Sequence, residues 1–373
     1  MSNAPKKKSA EFAVAPWLHT VGGWVFNHRE FWIRMGRWES KWLAGDLEAI
    51  EIRQPVYVTG LVRSGSTLLL EILEKHPDTA THRYKDFPFL DIPYWWNGLL
   101  KYIEKKEKVA VERAHKDRIQ ITPESPESME EIVWMGFFDH LHDPRVSNVL
   151  DETTGRPEFE EYYKSHIQKL LLSRKARRFL SKANYMGTRL KYVQKMFPDA
   201  RFIIPIREPV MQIASIIKQH KIFCEGQTRN PEAREHLRRL GHFEFGLDRR
   251  VINCGDTKAA LEIQRLLDGG EEVRGLARYW NMIYGYLHDQ REASAELNSA
   301  TVVLRYEDLC ADPEKVLTEM LRHTGLAMNR ELIDRYKDQI SPPTYYQAGF
   351  SDAELEIIAA ETRSTRAQYG YPD

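Results

Sequence analysis

The residues of this chain most able to do chemistry lie between Pro55 and His76, in PVYVTGLVRSGSTLLLEILEKH. Gly60 and Gly65 bracket Leu61, Val62, Arg63 and Ser64, and Ser66 and Thr67 follow. Glycines allow a turn tight enough for several backbone N–H groups to aim at one point. An arginine and hydroxyls beside them add donors and positive charge, a combination that suits a phosphate or a sulfate. The spacing is that of the G-x-x-x-x-G-K-[ST] nucleotide loop, with Ser66 where the lysine belongs. That lysine reaches the β- and γ-phosphates of a triphosphate, so its replacement argues against an ATPase or kinase. Arg63 supplies positive charge from three residues earlier. An ordinary strand-to-helix turn with packing glycines is the plainer alternative.

The elements that must hold this loop are legible around it. Val56, Tyr57 and Val58 are β-formers bounded by Pro55 and Gly60, which predicts a short buried strand. From Thr67 the pattern LLLEILEKH is helical, and Pro77 stops it. A loop that opens a helix lies at the positive end of the helix dipole, again an anion site. A second such unit follows: Phe202–Ile206 reads as a core strand, Arg207 ends it, and Pro209 fits the first turn of a helix carrying Ile213, Ile216 and Ile217. Arg207 and Ser215 flank that helix start, eight residues apart. An arginine fork with a hydroxyl suits a phosphate; a salt bridge from Arg207 to Glu208 is the plainer use.

These blocks resemble the sulfotransferases that use 3′-phosphoadenylyl sulfate (PAPS), in the bacterial branch related to the carbohydrate and tyrosylprotein enzymes. Val58, Gly60, Arg63-Ser64-Gly65-Ser66-Thr67-Leu68-Leu69, then His76-Pro77, are similar to that family's 5′-phosphosulfate loop. Phe197-Pro198-Asp199-Ala200-Arg201, the strand, Arg207-Glu208-Pro209 and Ser215 resemble its 3′-phosphate block. Val302–Leu309, ending Tyr306-Glu307-Asp308-Leu309, resembles its late strand. The blocks keep the family's order across 55–325. The resemblance implies an α/β fold, P-loop-like and three-layered (α/β/α), with a central mostly parallel sheet and helix-rich insertions. It implies PAPS as donor, no metal, and donor contacts from Arg63, Ser64, Gly65, Ser66, Thr67, Arg207 and Ser215. Lys182 stands where relatives place a lysine near the transferred group, although Asn184 replaces a common proline. For the base that takes the acceptor's proton, relatives acting on sugars or tyrosine place a carboxylate about twenty residues after the loop. Asp86 in Asp86-Phe87-Pro88-Phe89 matches that layout, and His82 is the second choice. Arg63 and Lys182 are then the catalytic cations.

The rest of the chain sets bounds. It has 373 residues with Lys plus Arg and Asp plus Glu equal at 54 each, so no global field draws it to nucleic acid. Cys224, Cys254 and Cys310 match neither a zinc spacing nor a disulfide framework, which favours a reducing, cytoplasmic setting. Residues 1–13 read as a disordered tail, and 14–50 as a helical extension holding Trp17, Trp24, Trp32, Trp38 and Trp42. That extension fits an amphipathic helix packed on the domain or in a homodimer. Peripheral membrane contact through 14–43 is the alternative. Residues 51–373 read as one domain with helical acceptor-side insertions at about 97–178 and 220–272. Within the first, Ser128 reads as a helix cap with Glu131 in the first turn. The second reads as a lid or oligomer contact. The acceptor stays open among glycans, lipids, peptide tyrosine and small alcohols or phenols. A P-loop kinase or hydrolase and a non-catalytic scaffold remain as other classes.

Overall fold

The computed structural model describes residues 12–103, 111–112, 120–342 and 348–372. Its centre is a five-stranded parallel sheet: β1 (Val56–Val58), β2 (Thr79–Ala80), β3 (Arg178–Lys182), β4 (Arg201–Ile206) and β5 (Thr301–Arg305), in the order β2-β3-β1-β4-β5. β1 is buried throughout because its two faces meet different layers. Val56 and Val58 point to one side, where they pack with Leu69, Leu73, Leu180, Ile203 and Leu317. Tyr57 points to the other, among Trp134, Tyr163, Phe179, Phe202 and Tyr284. The period-2 alternation of a strand thus divides the core between two helical layers, and the fold is the three-layer α/β/α arrangement expected.

Eight helices frame the site and the surface beside it: α1 (Pro16–Asn27), α2 (Arg29–Trp42), α3 (Ser66–Glu74), α4 (Pro93–Ile103), α5 (Pro157–Arg174), α6 (Pro209–Arg229), α7 (Glu272–Glu292) and α8 (Asp352–Gln368). α3 follows β1 and α6 follows β4, so the two glycine- and arginine-bearing turns emerge from the same end of adjacent strands. In open parallel sheets ligands bind at those carboxyl ends. Most of the expected tail at 1–13 lies outside the described residues; Phe12 is buried edge-on against Phe223 of α6, 5.2 Å between ring centroids. The tryptophan-rich stretch is two helices broken at His28, not one.

In the helical insertion expected at about 97–178, the stretch after Ile103 needs correcting. Among its described residues only Glu130–Met135 and Pro157–Arg174 are helical. Just ahead of the first of these, polar groups bond other elements instead. The N–H of Glu127 donates to His82 O, and Ser128 Oγ donates to Lys182 O at 2.5 Å. Ser128 is therefore not the cap, and Met129 holds that position. Glu131 leaves the helix axis to take a fork from Arg189 at 2.7 and 3.0 Å. Buried ionic partners outweigh local helix-start chemistry here.

α2 is tied to the domain by a buried ion pair. Lys169 Nζ on α5 lies 3.1 Å from Glu39 Oε2, with both side chains fully buried. Lys169 also donates to Gly36 O and Asp91 O, and Glu39 accepts from the N–H of Trp95. Removing one member strands the other charge in the interior. Glu39→Ala should lower the urea-unfolding free energy by about 3–5 kcal/mol, read as a lower midpoint at unchanged slope.

Candidate active site

The loop from Thr59 to Ser66 departs from regular geometry where its sequence permits. Gly65, the residue before α3, has φ +97°, and a Cβ there would stand 2.8 Å from the Tyr306 ring. A Cβ on Gly60 would meet Pro205 O at 2.8 Å. No side chain caps the α3 N-terminus, whose N–H groups face the loop. Arg63 is one of three described non-glycine residues with positive φ, at +68°. That region costs a non-glycine residue roughly 1–2 kcal/mol. Its guanidinium is held in return, since Arg63 Nε donates to Ser215 Oγ at 3.0 Å across 152 residues of sequence.

The second arginine sits beside the first site. Arg207 is buried and lies over the Tyr306 ring, 4.9 Å from its centroid. The same ring fills the space against Gly65, so Tyr306 touches both Arg207 and the loop. Glu208 is engaged at the start of α6. Its carboxylate caps α6 by accepting from Met211 N at 3.0 Å, and its own N–H donates to Glu307 at 2.9 Å. Glu307 also takes the Tyr371 hydroxyl at 2.8 Å, which fixes this corner to the C-terminal segment.

A further layer of side chains holds the loop, and the motif spacing does not point to it. Gln212 Nε2 donates to Leu61 O and Val62 O at 3.2 and 2.9 Å. Trp280 Nε1 on α7 donates to Gln212 Oε1 at 3.0 Å and lies 3.3 Å from Arg207 O. Tyr284 OH donates to Pro205 O at 3.1 Å. Trp280 and Tyr284 lie four residues apart on one face of α7, and that spacing is the one signal for them in the sequence.

Lys182 ends β3 directly beside Val58 of β1. Beyond it, Asn184 Nδ2 donates to Glu244 Oε1 at 2.7 Å, and His242 Nδ1 lies 3.5 Å from Glu244 Oε2. Burial raises the Glu244 carboxyl, but His242, with Lys182 and Asn184 behind it, outweighs burial and holds it at about 2. Burial lowers His242, and Glu244 with Glu127 more than compensates, leaving it above its ordinary value. Glu244 and Asn184 line a narrow cavity of about 20 Å³ together with Leu61, Val62, Tyr185 and Ile216. Glu244 and His242 belong to the 220–272 insertion and carry no motif, so only the fold brings them to Lys182.

Asp86 and His82 lie elsewhere in the network. Asp86 accepts from Arg174 Nη2 at 2.6 Å, from Asn97 Nδ2 at 3.2 Å and from the N–H of Arg83 at 2.8 Å. Burial pushes its carboxyl up, but His82 and the Arg174 guanidinium win and hold it well below the usual range. His82 Nε2 is 3.2 Å from His166 Nε2, and its Nδ1 is 3.8 Å from Asp86, long for a hydrogen bond. Burial, then the neighbouring His82, lowers His166 far below its ordinary value. The structure thus brings Arg63, Ser64–Thr67, Arg207 and Ser215 into one region with Lys182 on the next strand, and pairs Asp86 with Arg174 and His82 with His166.

Comparison with known proteins bears on the family and the fold. Residues 55–244 match the model of the sulfotransferase family. Omega-hydroxy-beta-dihydromenaquinone-9 sulfotransferase Stf3 of Mycobacterium bovis and that of Mycobacterium tuberculosis are each 21% identical to this chain over 347 residues, covering 87% of it and 77% of the relative. The crystal structure of sulfotransferase STF9 from Mycobacterium avium superposes with a TM-score of 0.52 at 14% identity, over 90% of this chain and 82% of that one, a likeness of fold.

A carboxyl lowered in the folded state stabilises it above the unfolded pKa and loses that contribution as pH falls through the folded one. For Glu244 the interval runs from its ordinary 4.5 down to about 2. Acid titration of unfolding free energy should therefore fall less steeply between pH 4.5 and 2 in Glu244→Gln than in the parent. An identical slope means that Glu244 is not held by its neighbours.

Proposed function

The chain belongs to the sulfotransferase family, and from that premise we propose that it transfers the sulfuryl group of PAPS to a hydroxyl of an apolar acceptor. The observation that carries this reading is the bond from Arg63 Nε to Ser215 Oγ. It joins the anion loop after β1 to the arginine–serine block after β4, as a nucleotide carrying phosphates at both its 5′ and 3′ positions requires. The uncapped N–H groups at the start of α3, the glycine cradle at Gly65 and the hydroxyls of Ser64, Ser66 and Thr67 fit the 5′-phosphosulfate. Arg207 and Ser215 fit the 3′-phosphate, with the Tyr306 ring fixing the guanidinium plane.

The bound donor supplies a sulfuryl group on an activated phosphosulfate bond. Arg63 and the loop N–H groups stabilise negative charge on the leaving phosphate oxygen, and Lys182 faces the transferred group from the next strand. As in phosphoryl transfer, the protein's work is positioning and charge stabilisation. We assign the acceptor's proton to His242 Nε2, with Glu244 beside Nδ1 setting the tautomer. Asp86 and His82, the bases expected from sequence, we read as the buried support that ties the 82–97 segment to Arg174 and His166. Leu61, Val62, Tyr185 and Ile216 give the surroundings of Glu244 an apolar side, with Arg249 and Arg250 on the same small cavity, which suits an acceptor that is apolar next to its hydroxyl. The printed name of the Stf3 relatives, with its hydroxylated menaquinone, points the same way.

Calorimetry with adenosine 3′,5′-bisphosphate, against ATP with magnesium, tests the donor. Arg207→Ala should weaken bisphosphate binding roughly 10- to 100-fold, the worth of a charge-assisted bidentate contact. Preference for ATP, or no bisphosphate binding, would overturn the reading. Lys182→Ala should lower kcat by about 100-fold or more and leave bisphosphate affinity nearly unchanged. A large loss of affinity instead would place that lysine in donor binding.

A further inference from the structure

α2 presents an outer face unlike that of a helix merely covering a domain. Its buried side carries Trp32, Gly36 and Glu39. Phe31, Arg34, Arg37, Trp38, Lys41 and Trp42 are exposed, and at 100° per residue they share an arc of roughly 140°. Trp38 and Trp42 are 61% and 65% exposed although each is in ring contact with Trp95 of α4, at 6.0 and 5.9 Å. α4 continues the surface with Leu99, Tyr102 and Ile103, the last two 82% and 61% exposed, and with the exposed Lys101. Large apolar side chains left exposed on two neighbouring helices in ring contact mark an interaction site.

We propose that the outer face of α2 and α4 docks on an anionic lipid surface. The charges choose the occupant. Over 31–42 the exposed charged residues are Arg34, Arg37 and Lys41, all positive, and Glu39 is buried against Lys169. Glu30, on the same arc in the first turn, Glu158, 3.6 Å from Arg37, and the exposed Asp46 and Glu48 just past Trp42 are the acids at its two ends. The chain as a whole is neutral, so this surplus is local. Two copies meeting face to face would oppose their own cations, whereas lipid phosphates complement them. Tryptophan and tyrosine rings with interleaved arginine and lysine are the composition of helices lying in the headgroup boundary. None of the helices with described residues is long and apolar enough to cross a membrane, so the contact is peripheral. Docking through this face is independent of the donor and of the acceptor.

The test is co-sedimentation of the full chain with vesicles of phosphatidylcholine alone or mixed with phosphatidylglycerol. Binding is expected with the anionic vesicles and should weaken as salt rises. It should drop at least about 10-fold in Trp38→Ala/Trp42→Ala and separately in Arg34→Glu/Lys41→Glu, whose exposed sites leave the core intact. Retained adenosine bisphosphate binding reports that each variant is folded. Brominated-chain lipids should quench the parent's tryptophan emission, a readout that needs no variant. Absence of quenching, sedimentation indifferent to the variants, or a dimer abolished by the tryptophan pair without vesicle binding would each overturn the proposal. Any of these leaves the donor reading standing, because bisphosphate binding is measured in the same samples.

Discussion

Arg63 holds a backbone conformation that an arginine disfavours, and it is steadied by a serine on a different strand's helix. Much else in the structure serves that contact. β1 and β4 are adjacent and parallel, so the turns that follow them open at the same edge. Gln212 on α6 bonds the loop carbonyls, and Trp280 and Tyr284 on α7 bond Gln212 and the strand end. A loop whose N–H groups must stay free for an anion cannot satisfy itself by regular pairing. Its carbonyls are held from outside instead, which leaves the donors pointing into the site.

Burial divides the charged residues into two populations. Glu131 with Arg189, Glu39 with Lys169 and Asp86 with Arg174 are enclosed and matched; they orient segments relative to the sheet. Removing one partner of such a pair is costly, although the pair itself adds little net stability. Glu244 and His242 differ by keeping some exposure, at 11% and 23%, and by facing the lysine that ends β3. A carboxylate and an imidazole in mutual contact at a crevice can exchange a proton with a bound molecule, which an enclosed ion pair cannot do.

The outer layer follows a different logic. α1 and α2 pack through small residues and one tryptophan: Gly22 against Phe87, Gly36 against Asp91 O, and Trp32 against Phe89. Close backbone approach lets these helices lie flat on the domain with their larger rings turned outward. A hydrophobic stripe facing a core would have reversed that orientation.

Much of this was determined by the sequence alone. The glycines at 60 and 65, the serine in place of a lysine at 66, the two strand–turn–helix units and their order identify the sheet, the anion loop and the family, because those features are local or repeat a spacing that backbone chemistry demands. The place of Arg207 at a strand end and of Ser215 on the helix that follows was legible for the same reason. Tertiary structure alone decided the rest. Asp86 and His82 stand close behind the loop in a linear chain, and only the fold gives them Arg174 and His166, far along the sequence, as partners. Glu244 and His242 look like loop residues, yet the fold sets them against Asn184 and Lys182. Five tryptophans at near-helical spacing do not reveal which rings face in; the glycines opposite Phe87 and Asp91 decide that by how closely each backbone can approach. Spacing encodes what a backbone does with its near neighbours, whereas partners brought together by strand order depend on the packing of the whole chain.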